Sequence, residues 1–153
     1  MNAGYLNIEE SKLRVAIVYP PKSRKMEAIV EAISSSSKEA GHQVQQIRAV
    51  RGVGIKSLFS YDLVYVGSPV MGLWGGKFSE EIASFIRECS GLEGKKVAVF
   101  VIPKMLGVSK AIKRLMALLE KQGSIIIDFR RIRNLSEARA FGQRLSRKIL
   151  SQN

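Results

Sequence analysis

The sequence predicts an α/β fold in which one doubly wound, five-stranded parallel sheet is covered by helices on both faces, giving three layers. Three observations lead to it. Short apolar runs, typical of strands buried on both faces, alternate five times with segments of helical periodicity. The connections between these segments are short, as expected for the right-handed crossovers of a parallel sheet. The chain has 153 residues, 46% of them hydrophobic, and can therefore bury one sizeable core.

The first predicted strand, 13–19, is an apolar run that follows a polar tail at 1–12. A basic loop at 20–25 leads from this strand into a helix. We therefore expect a single domain at 13–150, preceded by the tail.

The first predicted helix carries Ile29 and Ile33 on one side. Serines at 34–37 weaken the helical pattern because their hydroxyls compete for backbone hydrogen bonds. We expect these serines in exposed last turns of the helix, which Gly41 ends as a left-handed cap.

The second and third predicted strands are 43–48 and 62–67. His42, the one histidine of the sequence, lies in the turn before the second strand and is expected in solvent. The segment at 48–60 is too short for a long helix, although Ile55 to Phe59 could form a turn or two. The third strand ends near Pro69, because proline cannot donate to a ladder of hydrogen bonds.

The next three elements follow the same alternation. An apolar stripe predicts the second helix, and its members are Phe78, Ile82, Phe85 and Ile86. The fourth strand, 96–102, is broken by Pro103. Ser109 is the expected N-cap of the third helix, which stops at Gly123.

The fifth predicted strand, 124–129, precedes the last helix. Asn134 and Glu137 have the spacing of a capping box at the start of that helix, with asparagine in the usual serine or threonine position. Basic residues are concentrated here. We expect one broad positive surface from the end of the strand and the helix, made of Arg130, Arg131, Arg133, Arg139, Arg144, Arg147 and Lys148.

The net charge of +12 comes from 25 basic and 13 acidic residues and is unevenly distributed. Residues 1–94 hold 11 basic and 10 acidic residues, a net of +1, whereas residues 95–153 hold 14 and 3, a net of +11. Such a field attracts anions of many kinds, including phosphates and acidic proteins.

Several classes of protein are disfavoured by composition. No run approaches the roughly 20 apolar residues of a membrane span, and the polar tail is not a signal peptide. The single cysteine, Cys89, excludes an internal disulfide and suits a reducing compartment, so we expect a cytoplasmic location. With one histidine and one cysteine far apart, neither a metal centre nor a Ser-His-Asp hydrolase is expected.

A glycine-rich loop between the third strand and the second helix is the first candidate site. The stretch 61–76 reads YDLVYVGSPVMGLWGG and places Gly72, Gly75 and Gly76 around Trp74. A strand that ends in such a loop before a helix is the usual place for a ligand in an open α/β sheet. The alternative is a tight connection in which Trp74 is a packing residue.

The run at 61–69 resembles the third strand and following loop of the flavodoxin family. Similarity extends over roughly 13–150, including the fourth strand at KKVAVF, 95–100, and the first helix at IVEAI, 29–33. The resemblance implies a sheet of order 2-1-3-4-5 that binds FMN at its switch point. It also implies electron transfer or the reduction of quinone-like acceptors.

The loop after the first strand departs from the family pattern Ser/Thr-x-Thr-Gly-Asn-Thr, which wraps the flavin phosphate. Positions 21–26 read PKSRKM here, so one hydroxyl remains and three cations are added. The loop after the fourth strand has methionine and leucine where many members place an aromatic ring. The resemblance implies these cofactor-binding residues: Lys22, Ser23, Arg24, Lys25, Ser68, Pro69, Met71, Gly72, Trp74, Lys104 and Met105.

Two functions of different class remain open from the sequence. The first is an FMN-binding redox protein with a partner protein or small-molecule acceptor. The second is a flavin-free binding module whose basic half contacts an acidic protein. Nucleic acid is not expected, since few aromatic residues lie among the basic ones. Whether the chain is an enzyme, and whether it forms oligomers, is left open.

Overall fold

A computed structural model describes residues 12–52 and 57–150 of the chain, with side chains as far as Leu145. Five strands form one sheet, and they are β1 (Arg14–Tyr19), β2 (Gln43–Arg48), β3 (Leu63–Pro69), β4 (Lys96–Ile102) and β5 (Ile125–Arg131). Their order is β2-β1-β3-β4-β5, and every neighbouring pair is parallel. The predicted fold class and strand order are confirmed.

Four described helices cover the two faces of this sheet, and they are α1 (Arg24–Glu39), α2 (Glu80–Glu88), α3 (Val108–Lys121) and α4 (Leu135–Leu150). Helices α1 and α4 share one hydrophobic cluster with the sheet, and α2 and α3 share the other. Side chains of β1, β3 and β4 alternate between the two clusters, because successive residues of a strand point to opposite faces. The three central strands are therefore buried on both sides.

Phe141 of α4 is the centre of an aromatic group under the α1–α4 face. Its ring meets that of Tyr65 at 5.3 Å and 77° and that of Phe100 at 6.3 Å and 69°. Such edge-to-face pairs add about 0.5–1.5 kcal/mol each beyond the area that they bury. Strands β3 and β4 are thereby tied to the last helix.

The prediction that the serines of α1 are exposed is wrong. Ser34, Ser36 and Ser37 are fully buried. Because α1 and α4 lie side by side on one face of the sheet, this turn of α1 packs against α4, where Gly142 leaves room for it. The hydroxyl of Ser37 donates to the carbonyl oxygen of Gly142 at 3.5 Å. Small residues here allow the two helices to approach closely.

The prediction that His42 lies in solvent is also wrong. Its side chain is buried, and its Nδ1 accepts a hydrogen bond from the backbone N–H of Leu13 at 2.9 Å. This bond joins the entrance of β2 to the entrance of β1. Burial lowers the pKa of His42, so the imidazole is neutral at pH 7.

Two predicted helix caps differ from the observed ones. The N-cap of α3 is Gly107, with φ of 77° and no side-chain capping bond, whereas Ser109 is the second residue of the helix. At α4, Asn134 Oδ1 accepts from Glu137 N at 2.9 Å, as predicted. The carboxylate of Glu137 accepts from Arg133 N at 2.8 Å, one residue before the position that a capping box requires.

Some predictions fall on parts of the chain that the structure does not describe. These are the polar tail, apart from Lys12, and the first two residues, 55 and 56, of the segment where a short helical turn was expected. Within the described ranges, no helix is long and apolar enough to cross a membrane.

Candidate functional site

Three loops meet at the carboxyl ends of the central strands. They follow β1, β3 and β4, at 20–23, 70–79 and 103–107. Strand order reverses between β1 and β3, because the chain moves outward to β2 and then returns to the other side of β1. Open α/β sheets bind ligands at such a crevice. All the residues of the predicted site lie in these loops, at the end of β3 or in the first turn of α1.

The loop after β1 presents cations at the start of α1. Lys22, Arg24 and Lys25 are exposed, and Lys22 has φ of 77°, a conformation rare for residues other than glycine. Ser23 is the N-cap, and its Oγ accepts from Met26 N at 3.1 Å. In the described part of the chain the amides of Arg24 and Lys25 have no hydrogen-bond acceptor, as is usual in a first helical turn.

The loop after β3 folds back on itself. Met71 N donates to Lys77 O at 2.8 Å, and Lys77 N donates to Met71 O at 3.3 Å. The carbonyl oxygen of Gly72 accepts from Gly75 N at 3.1 Å and from Lys104 Nζ at 3.0 Å. Both backbone groups of Met71 and the carbonyl of Gly72 are thus used inside the loop. Lys104 joins this loop to the one after β4.

Ser68 fixes the base of the same loop. It is fully buried, and its Oγ accepts from Ser79 N at 2.8 Å and donates to Pro69 O at 2.8 Å. Ser79 is the N-cap of α2 and donates to the Glu81 carboxylate at 2.7 Å, which lowers the pKa of Glu81. The side chain of Ser68 therefore connects the end of β3 to the start of α2.

Close backbone contact locks the loops after β3 and β4 together. A Cβ atom on Gly75 would lie 1.8 Å from the carbonyl oxygen of Leu106, and one on Gly107 would lie 2.1 Å from the amide of Gly76. Only glycine permits this approach. Arg114 of α3 adds a hydrogen bond of 2.8 Å to Gly76 O. The two loops therefore form one unit.

This unit carries most of the exposed apolar side chains at the carboxyl end of the sheet. The exposed fractions are 89% for Leu73, 76% for Trp74 and 98% for Met105. Met71 and Leu106 are about half exposed. Clustered apolar side chains on a soluble surface commonly mark a ligand or partner site. Trp74 is not the packing residue of the alternative interpretation.

Charge links the loop after β1 to this unit. Lys22 lies close enough to Glu81 to contribute to the lowered pKa of that carboxyl. Arg51, after β2, forms an exposed ion pair of 3.8 Å with Glu80 at the start of α2. Lys22 therefore lies near the start of α2, which directly follows the loop after β3.

Three cations near the site carry no sequence signal. Lys77 closes the hairpin, Lys110 packs along Gly76, and Arg114 reaches Gly76 from α3. Each is one basic residue among many in the sequence. In the sequence, only the repeated glycines indicated that another part of the chain packs closely against this loop.

Among the described residues no three histidine, cysteine, aspartate or glutamate side chains are grouped to hold a metal ion. Burial raises the pKa of the Cys89 thiol to about 11, so the thiolate is scarce at pH 7.

Comparison with solved structures identifies the architecture. The two-electron reduced flavodoxin of Megasphaera elsdenii matches with a TM-score of 0.69 and 21% identity over 87% of this chain and 98% of that one. Oxidised flavodoxin 1 of Bacillus cereus matches with a TM-score of 0.67 and 16% identity over 92% and 99%. The flavodoxin of Fusobacterium nucleatum bound to flavin mononucleotide matches with a TM-score of 0.66 and 12% identity over 92% and 98%.

The chain has the flavodoxin-like fold. No protein-family profile matches it, and no curated protein sequence does. At these identities the likeness concerns the fold, and the function has to be argued from the site. In this flavodoxin-like fold the cationic turn and the apolar loops stand on either side of the β1–β3 crevice.

Proposed function

We propose that the chain is an FMN-binding electron-transfer protein that holds the flavin at the carboxyl ends of β1, β3 and β4. One observation carries the proposal. Trp74 and Met105 are 76% and 98% exposed on two loops locked together, and the cationic first turn of α1 lies across the β1–β3 crevice from them. A flat, partly apolar ring with a phosphate has the shape and charge to cover both features. Fusobacterium nucleatum flavodoxin, which shares the fold, is bound to flavin mononucleotide.

The phosphate would be held by charge and by the helix terminus. Lys22, Arg24 and Lys25 supply three exposed cations. The amides of Arg24 and Lys25 belong to the first turn of α1, where unpaired N–H groups and the helix dipole favour an anion. Pro20 and Pro21 supply no N–H, and the hydroxyl of Ser23 already caps the helix. Charge therefore replaces most of the hydrogen bonds that a hydroxyl-rich loop would provide.

The ring would be held mainly by its faces. Trp74 offers a stacking surface and Met105 a polarisable one. The ring edge has fewer partners, because Met71 N and O and Gly72 O are bonded within the hairpin. Bound FMN supplies the electron-transfer chemistry. The cationic surroundings favour the more negative, reduced form of the ring.

Titration with FMN tests this proposal. We expect flavin fluorescence to be quenched as purified protein is added, because Trp74 stacks on the ring. Trp74→Ala should weaken binding by about 1 kcal/mol, or roughly fivefold, through lost stacking. Absence of quenching at about 0.1 mM FMN, well above typical working affinities of a few µM, would contradict the proposal.

A charge-neutral triple variant separates the phosphate from the ring. Lys22→Gln/Arg24→Gln/Lys25→Gln should weaken FMN binding by about tenfold or more, since charge-assisted bonds to phosphate are lost. Riboflavin, which lacks the phosphate, is the matched ligand and should bind both proteins equally. An equal loss for both ligands would show that the cations do not hold the phosphate.

A flavin-free binding module is the second candidate. The paired backbone of Met71 and Lys77 favours it, because the hairpin is closed without a ligand. The FMN titration decides between the two functions. Quenching of flavin fluorescence that Trp74→Ala weakens would support the FMN-binding protein, and absence of quenching would support the binding module.

A further inference from the structure

A groove of about 750 Å³ runs along the free edge of β5. Ile112 and Met116 of α3 form one wall, and Ala140 and Phe141 of α4 form the other. Between them lies Phe129 of β5, whose side chain is 51% exposed. An aromatic side chain half exposed on an edge strand, between two helices, provides an apolar floor.

Cations dominate the lining of this groove, and they are Lys113, Arg130, Arg131, Arg133 and Arg144. Arg130 and Arg144 both pair with Asp128, and Arg133 pairs with Glu137 at 3.9 Å. Within the described part of the chain, Lys113 forms no ion pair, and the guanidinium of Arg131 meets only the hydroxyl of Ser109, at 3.4 Å. These two cations have no anionic partner there.

Of the seven cations predicted to form one broad surface, the structure places four in this groove, and they are Arg130, Arg131, Arg133 and Arg144. Arg139 turns away from the groove and pairs with Glu39 of α1 at 2.7 Å. Arg147 and Lys148 lie beyond the described side chains. The described cations of the edge are therefore gathered in the groove.

The backbone of β5 shows which groups face the groove. Ile132 N donates to Val101 O at 2.9 Å, so Ile132 faces β4 and its neighbours in the chain face the free edge. Consistently, Phe129 N donates to Asp128 Oδ1 and Arg133 N to Glu137 Oε2, both at 2.8 Å. Carboxylates of the chain thus accept hydrogen bonds from the amides of Phe129 and Arg133, which face the free edge. The amide of Arg131 lies between these two and meets no side-chain acceptor among the described residues.

We propose that this β5 groove binds an acidic, extended segment of a partner protein, which adds to the sheet as a strand beside Arg131. The amide and carbonyl groups of Arg131 would pair with the backbone of the segment. Carboxylates of the segment would meet Lys113 and the Arg131 guanidinium, and its apolar side chains would cover Phe129 and Met116. The proposal does not depend on FMN binding.

A protein segment fits the groove better than nucleic acid does. An edge strand with an open amide offers hydrogen bonds that match a peptide backbone. Single-stranded nucleic acid would need several aromatic platforms for its bases, and Phe129 is the one aromatic side chain of the groove with a large exposed surface. Arginine and lysine flanking the open amide supply the complementary charge for carboxylates.

The first test measures binding of a fluorescein-labelled, ten-residue peptide that alternates glutamate with threonine or leucine. Lys113→Glu/Arg131→Glu should weaken binding about tenfold or more, as expected for reversing two contacting charges. Lys38→Glu/Arg87→Glu is the matched control, because both of its residues are exposed on helices away from the groove. It changes the net charge equally and should weaken binding less than twofold. Equal losses from the two variants would overturn the proposal.

The second test asks for strand pairing. A peptide with N-methyl groups on its central residues keeps the charge but loses backbone donors, and it should bind about tenfold more weakly. When the peptide titration is followed by NMR, the amide signal of Arg131 should be among those that shift most. Equal binding of the methylated peptide, an unmoved Arg131 amide, or tighter binding to duplex DNA would each contradict an acidic strand. Circular dichroism confirms that every variant is folded.

Discussion

Single residues in this protein connect elements that are distant in the sequence. His42 accepts from Leu13 N and joins the entrances of β1 and β2. The hydroxyl of Ser68 accepts a hydrogen bond from Ser79 N and joins β3 to α2. Lys95 Nζ donates to the carbonyl oxygens of Phe59 and Tyr61 before β3. A buried polar group without its partner costs about 1–3 kcal/mol, so the buried bonds of His42 and Ser68 matter to the fold.

His42 should make the free energy of unfolding depend on pH. The folded-state pKa is lowered by burial, whereas the unfolded chain protonates near 6.5. The unfolded state therefore binds more protons, and stability present above about pH 6.5 is lost as pH falls towards the folded-state pKa. Urea unfolding at pH 7.5 and 5.5 measures the loss.

His42→Asn is the control for this prediction. The amide oxygen of asparagine can accept from Leu13 N but does not titrate. We expect the stability of the variant to fall less between pH 7.5 and 5.5. The same fall in both proteins would assign the pH dependence to other groups.

At the scale of elements, the pair α1–α4 depends on small residues. A Cβ atom on Gly142 would lie 2.1 Å from Ser36 Oγ and 2.7 Å from the carbonyl oxygen of Ile33. The serine can rotate, but the carbonyl belongs to the backbone of α1 and cannot move alone. The approach of the two helices, which covers Tyr65 and Phe141, is therefore set by a glycine.

Gly142→Ala should destabilise the protein by up to about 2 kcal/mol. Alanine improves helix propensity by about 1 kcal/mol, but forcing a methyl group into a packed contact costs typically 1–3 kcal/mol and here requires the helices to separate. Gln143→Ala, on the exposed face beside it, is the control and should be close to neutral. Urea midpoints that rank Gly142→Ala at or above the wild type would show that the contact is loose.

At the scale of the whole molecule, strand order separates two surfaces. The candidate flavin site lies above the central strands, whereas the β5 groove lies along one edge. They approach each other at the start of α3, where Gly107 packs under the apolar loops and Ser109 lines the groove. An acidic partner in the groove would therefore lie beside the proposed flavin.

Ligand binding should raise the melting temperature of the whole domain. FMN at a hundred times its dissociation constant stabilises a protein that binds only when folded by about 2.7 kcal/mol. For a domain of this size that is a rise of roughly 5–10 °C. Trp74→Ala should melt at the wild-type temperature without FMN, since the side chain is 76% exposed, and should rise less with it. No rise at saturating FMN would contradict flavin binding.

The sequence by itself determined the elements and their order along the chain. Strands predicted at 62–67 and 124–129 are found at Leu63–Pro69 and Ile125–Arg131, because runs of apolar residues and the prolines and glycines that end them act locally. The three cations of the 20–25 loop could also be recognised in the sequence. So was the glycine-rich stretch after β3.

Only the tertiary structure decided what each side chain meets. Burial of Ser36 depends on Gly142, far along the chain, and the partner of His42 is a backbone amide of another strand entrance. The closed hairpin of Met71 and Lys77 and the open amide of Arg131 follow from backbone pairing across elements. The sequence pattern indicates which face of an element is apolar. The element that packs against that face is decided by the order of the strands in the sheet.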